Sequence, residues 1–315
     1  MCYSARIIAD YKKYVRIFGA DISLRDFVKL FWEWNNVEAQ FKVPRALVLA
    51  FRDEPEIAAL IAQHDADKQV ELEQLLFAQR QRLTEAERKL QTKTTKAAFE
   101  SQRIATSKIE WALDKMAELR RTEPAADDWR IFPRWYAPVM VVQDGKRVVL
   151  PMRYQCRPAG KPAFYDDKFP GTYNARRDSL DGYWRGVFGY THGIILADAF
   201  YENVPRHKAE GRELQPGEKP ENLILEFKPQ TGEVMMIACL WSRWSTPDQP
   251  DLLSFAAITD DPPPEVATAG HDRCVIPIKA ENVDAWLNPD PKNLAAQYAI
   301  LDDRERPYYE HRLAA

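Results

Sequence analysis

No CxxC pair, no block of like charge and no run of 18 apolar residues occurs in this 315-residue chain, and each absence removes a class of function. Its four cysteines, at 2, 156, 239 and 274, are scattered, so neither a structural zinc site nor a disulfide scaffold is expected. The five histidines and four cysteines show no ligand spacing, so no metal and no other cofactor is expected. The net charge of -3 gives no global pull toward nucleic acid or anionic membrane, and any DNA contact would need a local basic groove. Without a long apolar run or a signal-type start, the expected setting is soluble and intracellular, a reducing compartment in which thiols stay free. GxGxxG, a P-loop and internal repeats are also missing.

What is present changes character twice. Residues 3–20 read as a strand followed by a turn. From Ser23 to about Arg121 the apolar spacing is helical: Leu24, Phe27, Val28, Phe31 and Trp32 follow Ser23, a residue suited to an N-cap. The segment 45–51 reads as a short helix or a connecting strand. Pro55 then opens a long amphipathic helix, and a second follows a Thr-rich break at 92–95. Residues 61–121 carry 12 Lys/Arg and 10 Asp/Glu, intermixed, which suits a salt-bridge-laced helical hairpin rather than a charged tail.

Beyond residue 129 the pattern becomes short strands and Pro/Gly turns, a β-rich body without βαβ rhythm. Asp144-Gly145 between the candidate strands VMVVQ and KRVVLPMRY predicts a tight hairpin. NLILEFKPQTGEVMMIACL (222–240) predicts another, turning at PQTGE. AENVDAWLNP (280–289) reads as a short helix.

Five stretches carry candidate chemistry. Cys2 follows Met1 directly, and loss of Met1 would leave an α-amine and a thiol two bonds apart. An aldehyde can take up both and close to a thiazolidine, and with reference pKa values of about 8 and about 8.5 both groups are nucleophilic near neutral pH. In TYNARRDS (172–179), Asn174, Arg176, Arg177 and Asp178 would hold an anion or would form a surface turn. Glu202 ends an apolar strand after Phe200 and Tyr201, a setting for a general acid/base or for an ordinary solvated carboxylate. His271, beside Asp272 and Arg273, suits a proton shuttle or a loop residue. In PMRYQCRP (151–158), Arg153, Tyr154 and Arg157 interleave charge and aromatic rings as a single-strand groove does, or as an ordinary strand does, with Cys156 a small buried residue.

Taken together, Met1-Cys2, NAR at 174–176, ADAFYE at 197–202 and GHDRCVIPI at 270–278 resemble the SOS-response-associated peptidase (SRAP) family, DNA–protein crosslinking proteins that shield abasic sites. The resemblance implies an α+β fold: a β-rich body of antiparallel strands in a barrel-like arrangement, with a large inserted helical region. It implies one SRAP-like domain over 1–315, with residues 23–121 inserted and residues 122–315 forming the main body, completed by 1–22. By the same resemblance, Cys2 is the nucleophile toward the aldehyde of an abasic site in single-stranded DNA. Asn174 orients that cysteine and the sugar, Glu202 is the acid/base, and His271 assists Schiff-base chemistry and crosslink reversal. Arg176 and Arg273 look like phosphate contacts, and Tyr154 stands where the family often carries a tryptophan beside DNA; with Arg153 and Arg177 they make up the expected DNA-binding set. Self-removal of Met1 and lyase-type activity belong to the same picture, in the cytoplasm and at the nucleoid if the source is bacterial.

The chain departs from the family pattern at Asp178 (commonly Glu), His192 (commonly Arg), Asn203 (often Trp) and 154–158, where Tyr-Gln-Cys-Arg-Pro replaces Trp-Gly-Leu-Ile-Pro. The alternatives are a cysteine peptidase acting on other proteins, or a non-enzymatic protein that uses its helical insertion to bind a partner or to self-associate.

Overall fold

The computed structural model describes residues 4–36, 41–247 and 249–314. The chain divides into two compact units, Met1–Ala50 with Ala125–Ala315, and Phe51–Pro124.

The first unit opens with β1 (Ser4–Ile7), α1 (Tyr11–Phe18), β2 (Asp21–Ile22), α2 (Leu24–Asn36) and α3 (Arg45–Ala50). The segment 3–20 is thus a strand and a helix rather than a strand and a turn, because the Asp10 side chain accepts from Lys12 N–H and starts α1. Helix α2 starts after Ser23, whose carbonyl accepts from Asp26 and Phe27 N–H, and it buries Phe27, Leu30, Phe31 and Trp34. Of the two readings for 45–51, the helix is the one formed.

The second unit is the hairpin of α4 (Pro55–Thr92) and α5 (Lys96–Arg120). Pro55 sits in the first turn of α4, where its missing N–H costs nothing, and the Thr95 hydroxyl caps α5 by accepting from Ala98 N–H. Ala98, Ala105 and Ala112, seven residues apart, are the buried residues of α5, and α4 buries Leu72 and Ala86 fourteen apart. Small side chains at that spacing let two antiparallel helices approach closely, and Arg82 Nε donates to Ser101 Oγ across the pair at 2.9 Å.

The first unit resumes with β3 (Arg130–Ile131), β4 (Tyr136–Gln143), β5 (Lys146–Tyr154), α6 (Tyr165–Lys168) and β6 (Asn174–Arg176). Then come β7 (His192–Pro205), α7 (Arg206–Ala209), β8 (Asn222–Pro229), β9 (Met235–Thr246) and β10 (Gln249–Asp260). The chain ends with α8 (Pro264–Thr268), β11 (Cys274–Val275), α9 (Val283–Leu287), α10 (Leu294–Asp302) and β12 (Tyr309–Leu313). The twelve strands among the described residues pair into one sheet. Five of them close a ring: β4 on β5, β5 on β10, β10 on β9, β9 on β7, and β7 back on β4. This is the α+β, barrel-like body with a helical insertion expected from sequence. Three pairings are parallel, however: β2 with β5, β5 with β10, and β6 with β10.

The closing contact between β4 and β7 is brief, with Met140 opposite Ile194. Tyr14 on α1 extends it: its hydroxyl donates to Pro138 O at 3.0 Å and accepts from Leu196 N–H at 2.9 Å, so a buried side chain bridges two diverging strands.

The Asp144-Gly145 hairpin forms as expected, with Gln143 opposite Lys146 and both turn residues at positive φ, 50° and 75°. The second expected hairpin does not form. Both β8 and β9 run antiparallel to β7, β8 along 200–205 and β9 along 192–197. They lie end to end along one side of β7, and residues 230–234 interrupt a line instead of reversing it. Of CVIPI, only Cys274–Val275 is strand.

Candidate active site

Glu202 lies near the end of β7, where Tyr201 pairs with Ser4 of β1 and Glu202 with Leu225 of β8. It is fully buried. His271 reaches it from the loop between α8 and β11, with Nε2 3.0 Å from Glu202 Oε2. On the other edge of the ring, His271 Nδ1 is 2.9 Å from the carbonyl oxygen of Arg273. A carbonyl only accepts, so Nδ1 carries a hydrogen and Nε2 is left facing the carboxylate. The Arg273 N–H also approaches Nδ1, at 3.4 Å, and the shorter contact sets the tautomer. An imidazole nitrogen and a carboxylate oxygen thus stand in contact, two groups of the kinds that accept and release protons in acid–base chemistry.

Gly270 makes this approach possible. Its φ is +97°, and a Cβ there would stand 2.8 Å from both Val204 Cγ1 and Lys208 Cβ. The loop carrying His271 thus lies against the end of β7 and α7 only because position 270 has no side chain. The Cys274 thiol behind it is buried, hydrogen-bonded with Tyr309, and pushed up in pKa, chiefly by burial. It is a packing residue, not a second nucleophile.

Asn174 arrives by topology. β10 pairs with β6 on one side and with β11 on the other, so its Thr259 has Arg176 as one neighbour and Val275 as the other. Asn174 is buried; its Oδ1 accepts from the Tyr154 hydroxyl at 3.4 Å, and among the described residues its Nδ2 has no hydrogen-bond partner. Cys2 lies outside the described residues.

The expected DNA contacts divide into two groups. Tyr154 is 3% exposed, stacked on Phe255 with ring centroids 5.2 Å apart and edge-on to Tyr173. Arg153 and Arg157 are buried too, and both bind Asp166, at 2.8 Å and 2.5 Å. Burial works to raise the Asp166 pKa, yet the two arginines outweigh it and hold the carboxyl below its usual range. Arg153 and Tyr154 therefore face into the protein. Arg176, Arg177 and Arg273 are at least partly solvent-accessible, each beside an acid: Asp178, Asp302 and Asp272. Cys156 is buried, which pushes its thiol up to about 12.

Sequence reasoning passed over Gly270, whose signal was a glycine directly before the histidine. It also passed over Asp166, which has no signal, because nothing local marks one aspartate in the four-residue α6 as the partner of two arginines nine and thirteen residues earlier. A cavity of about 560 Å³ is lined by Cys274, Tyr308, Tyr309, Arg304 and the proline run 262–264, but not by Glu202 or His271. Among the described residues no three His, Cys, Asp or Glu side chains converge to hold a metal ion, and no helix is long and apolar enough to cross a membrane.

A family model described as SOS response associated peptidase (SRAP) matches residues 79–312. The chain belongs to the SRAP family. Membership associates it with the SOS response and so with DNA-damage biology. No curated protein matches the chain. Among solved structures, a Bordetella bronchiseptica protein is similar at 20% identity and a TM-score of 0.46, covering 62% of this chain and 90% of that one. A Bacteroides thetaiotaomicron protein has 16% identity and a TM-score of 0.44, over 57% of this chain and 74% of its own. A phage-related protein from Bordetella bronchiseptica has 17% identity and a TM-score of 0.44, over 59% and 80%.

Proposed function

We propose that this SRAP protein binds single-stranded DNA and captures abasic sites covalently through Cys2 once Met1 has been removed, in the reducing cytosol. The α-amine attacks the ring-opened aldehyde and loses water to form a Schiff base. The thiol then adds to the same carbon, closing a thiazolidine and returning a proton to nitrogen. One water leaves overall, and no oxidant or reductant is required. Glu202 and His271 supply and collect the protons for ring opening and dehydration.

The observation that carries this reading is the 3.0 Å contact between His271 Nε2 and Glu202, with Nδ1 fixed by Arg273 O. Connectivity supports it: Ser4 pairs with Tyr201, the neighbour of Glu202, and Cys2 is two residues before Ser4, within about 7 Å of it by covalent reach. The Asn174 Nδ2 donor is suited to orient the amine or the sugar, and Arg176, Arg177 and Arg273 are the candidates for phosphate. The whole chain, 1–315, acts as one SRAP-like domain with its helices inserted. Self-removal of Met1 by the same groups is the maturation step, and cleavage of other proteins is a separate activity that this reading does not require.

The test is to incubate protein of verified N-terminal mass with single-stranded DNA carrying one abasic site. A heat-stable shifted band is expected, absent in Cys2→Ala and slowed by about 10²–10⁴-fold in Glu202→Gln. No crosslink from fully processed protein would overturn the proposal.

A further inference from the structure

The outer face of α5 carries a stripe at alternating four- and three-residue spacing: Phe99, Arg103, Thr106, Glu110 and Leu113. That spacing is a coiled-coil seam, and it points away from the alanine seam that packs α5 on α4. Phe99 is 58% and Leu113 44% exposed, large apolar groups left in water beside a groove of about 390 Å³ that Phe99, Arg103, Thr106 and Glu110 help to line.

The order of the stripe matters. Read from Phe99 it runs apolar, cation, small, anion, apolar, so reversing the direction exchanges only the two charges. A second α5 laid antiparallel across a two-fold axis at Thr106 would put Phe99 on Leu113 and Arg103 on Glu110, each contact occurring twice, and Thr106 on itself at the axis. A parallel copy would set Arg103 on Arg103 and Glu110 on Glu110. Within one chain Arg103 contacts Glu100 at 2.9 Å, an exposed pair on one turn of helix, while Glu110 has no ion-pair partner among the described residues.

We infer that this stripe is a homodimer interface, and that its partner is the same stripe of a second copy of this chain, antiparallel about Thr106. The small residue at the axis lets the helices approach, the apolar ends supply burial, and the crossed charges set direction and register. This inference is independent of the chemistry at Glu202 and His271.

Sedimentation equilibrium of the full chain, over about 1–100 µM, tests it. A reversible dimer is expected. Arg103→Glu and Glu110→Arg should each raise the dimer dissociation constant at least about tenfold, and the double exchange should return it to within about threefold of wild type. Thr106→Cys should yield a disulfide-linked dimer under mild oxidation, whereas Lys108→Cys, off the stripe, should not. A chain that stays monomeric throughout this range, or a double exchange no better than the single changes, overturns the inference; far-UV circular dichroism verifies that the variants keep their helices.

Discussion

Two backbone positions carry more of the site's geometry than their side chains suggest. At Gly270 a methyl group would meet Val204 and Lys208 inside van der Waals contact, and the φ of +97° is one that L-residues avoid. Gly270→Ala is expected to lower stability by about 1–3 kcal/mol and to move the loop that presents His271. Thermal melting measures the first effect, and the imidazole chemical shift of His271 measures the second. Gln155 sits at φ +100° where the family usually has glycine, and the strain is held by its side chain: Nε2 donates to Asp166 O at 2.8 Å and Oε1 accepts from Arg134 Nε at 3.4 Å. Both Gln155→Ala and Gln155→Gly lose those bonds, but only the glycine relieves the backbone. In urea titrations the glycine variant is therefore expected to be the more stable of the two, by about 1 kcal/mol.

At the level of elements, the hairpin and the strands obey different constraints. On the α5 side the seam of the α4–α5 pair consists of alanines, so the close approach depends there on volume and not on shape. Ala105 is fully buried, and Ala105→Leu would add three carbons where there is no space. A loss of about 1–3 kcal/mol is expected, visible as earlier melting of the helical signal at 222 nm. This hairpin could be read locally because its helical spacing, Pro55 and Thr95 are all local signals. The strands could be read as strands, but not their partners. PQTGE has the composition of a hairpin turn, yet β8 and β9 both find better pairing along β7, a 14-residue strand that accommodates them in line. Likewise β5 is buried on both faces from Val149 to Tyr154, which no local signal announces; Tyr154 stacks on Phe255 of β10, and a candidate DNA contact lies in the core.

For the whole molecule, acid sensitivity follows from a residue that is not part of the proposed chemistry. His192 is buried between Trp286, at 3.9 Å between centroids, and Phe188. Its Nδ1 donates to Trp286 O, and its Nε2 accepts from Gly189 N–H at 2.9 Å, so protonating Nε2 would set two donors against each other. Burial pushes its pKa down to about 3, against the opposing effect of the Trp286 hydrogen bond. Between pH ~6.5 and ~3 the unfolded chain holds a proton that the folded chain does not. The stabilisation from neutral His192 is therefore complete above the unfolded pKa and is lost on acidification through that window, at up to about 1.4 kcal/mol per pH unit. Urea midpoints at pH 7.5, 6 and 5 should fall more steeply for wild type than for His192→Gln; parallel lines would show that the residue does not titrate in this way.

The sequence by itself determined the chemistry-bearing words, NAR, DAFYE and GHDR, the helical insertion and the strand-rich body, because each is written in neighbouring residues and in their period. Only the tertiary structure decided which of those words meet. It brought Glu202 and His271, 69 positions apart, to 3.0 Å, and set β6 and β11 on either side of Thr259. It also turned Arg153 inward onto Asp166. The physical reason is that propensity and periodicity act over a few residues, whereas barrel closure and the pairing of buried charges are decided by burial across the whole chain.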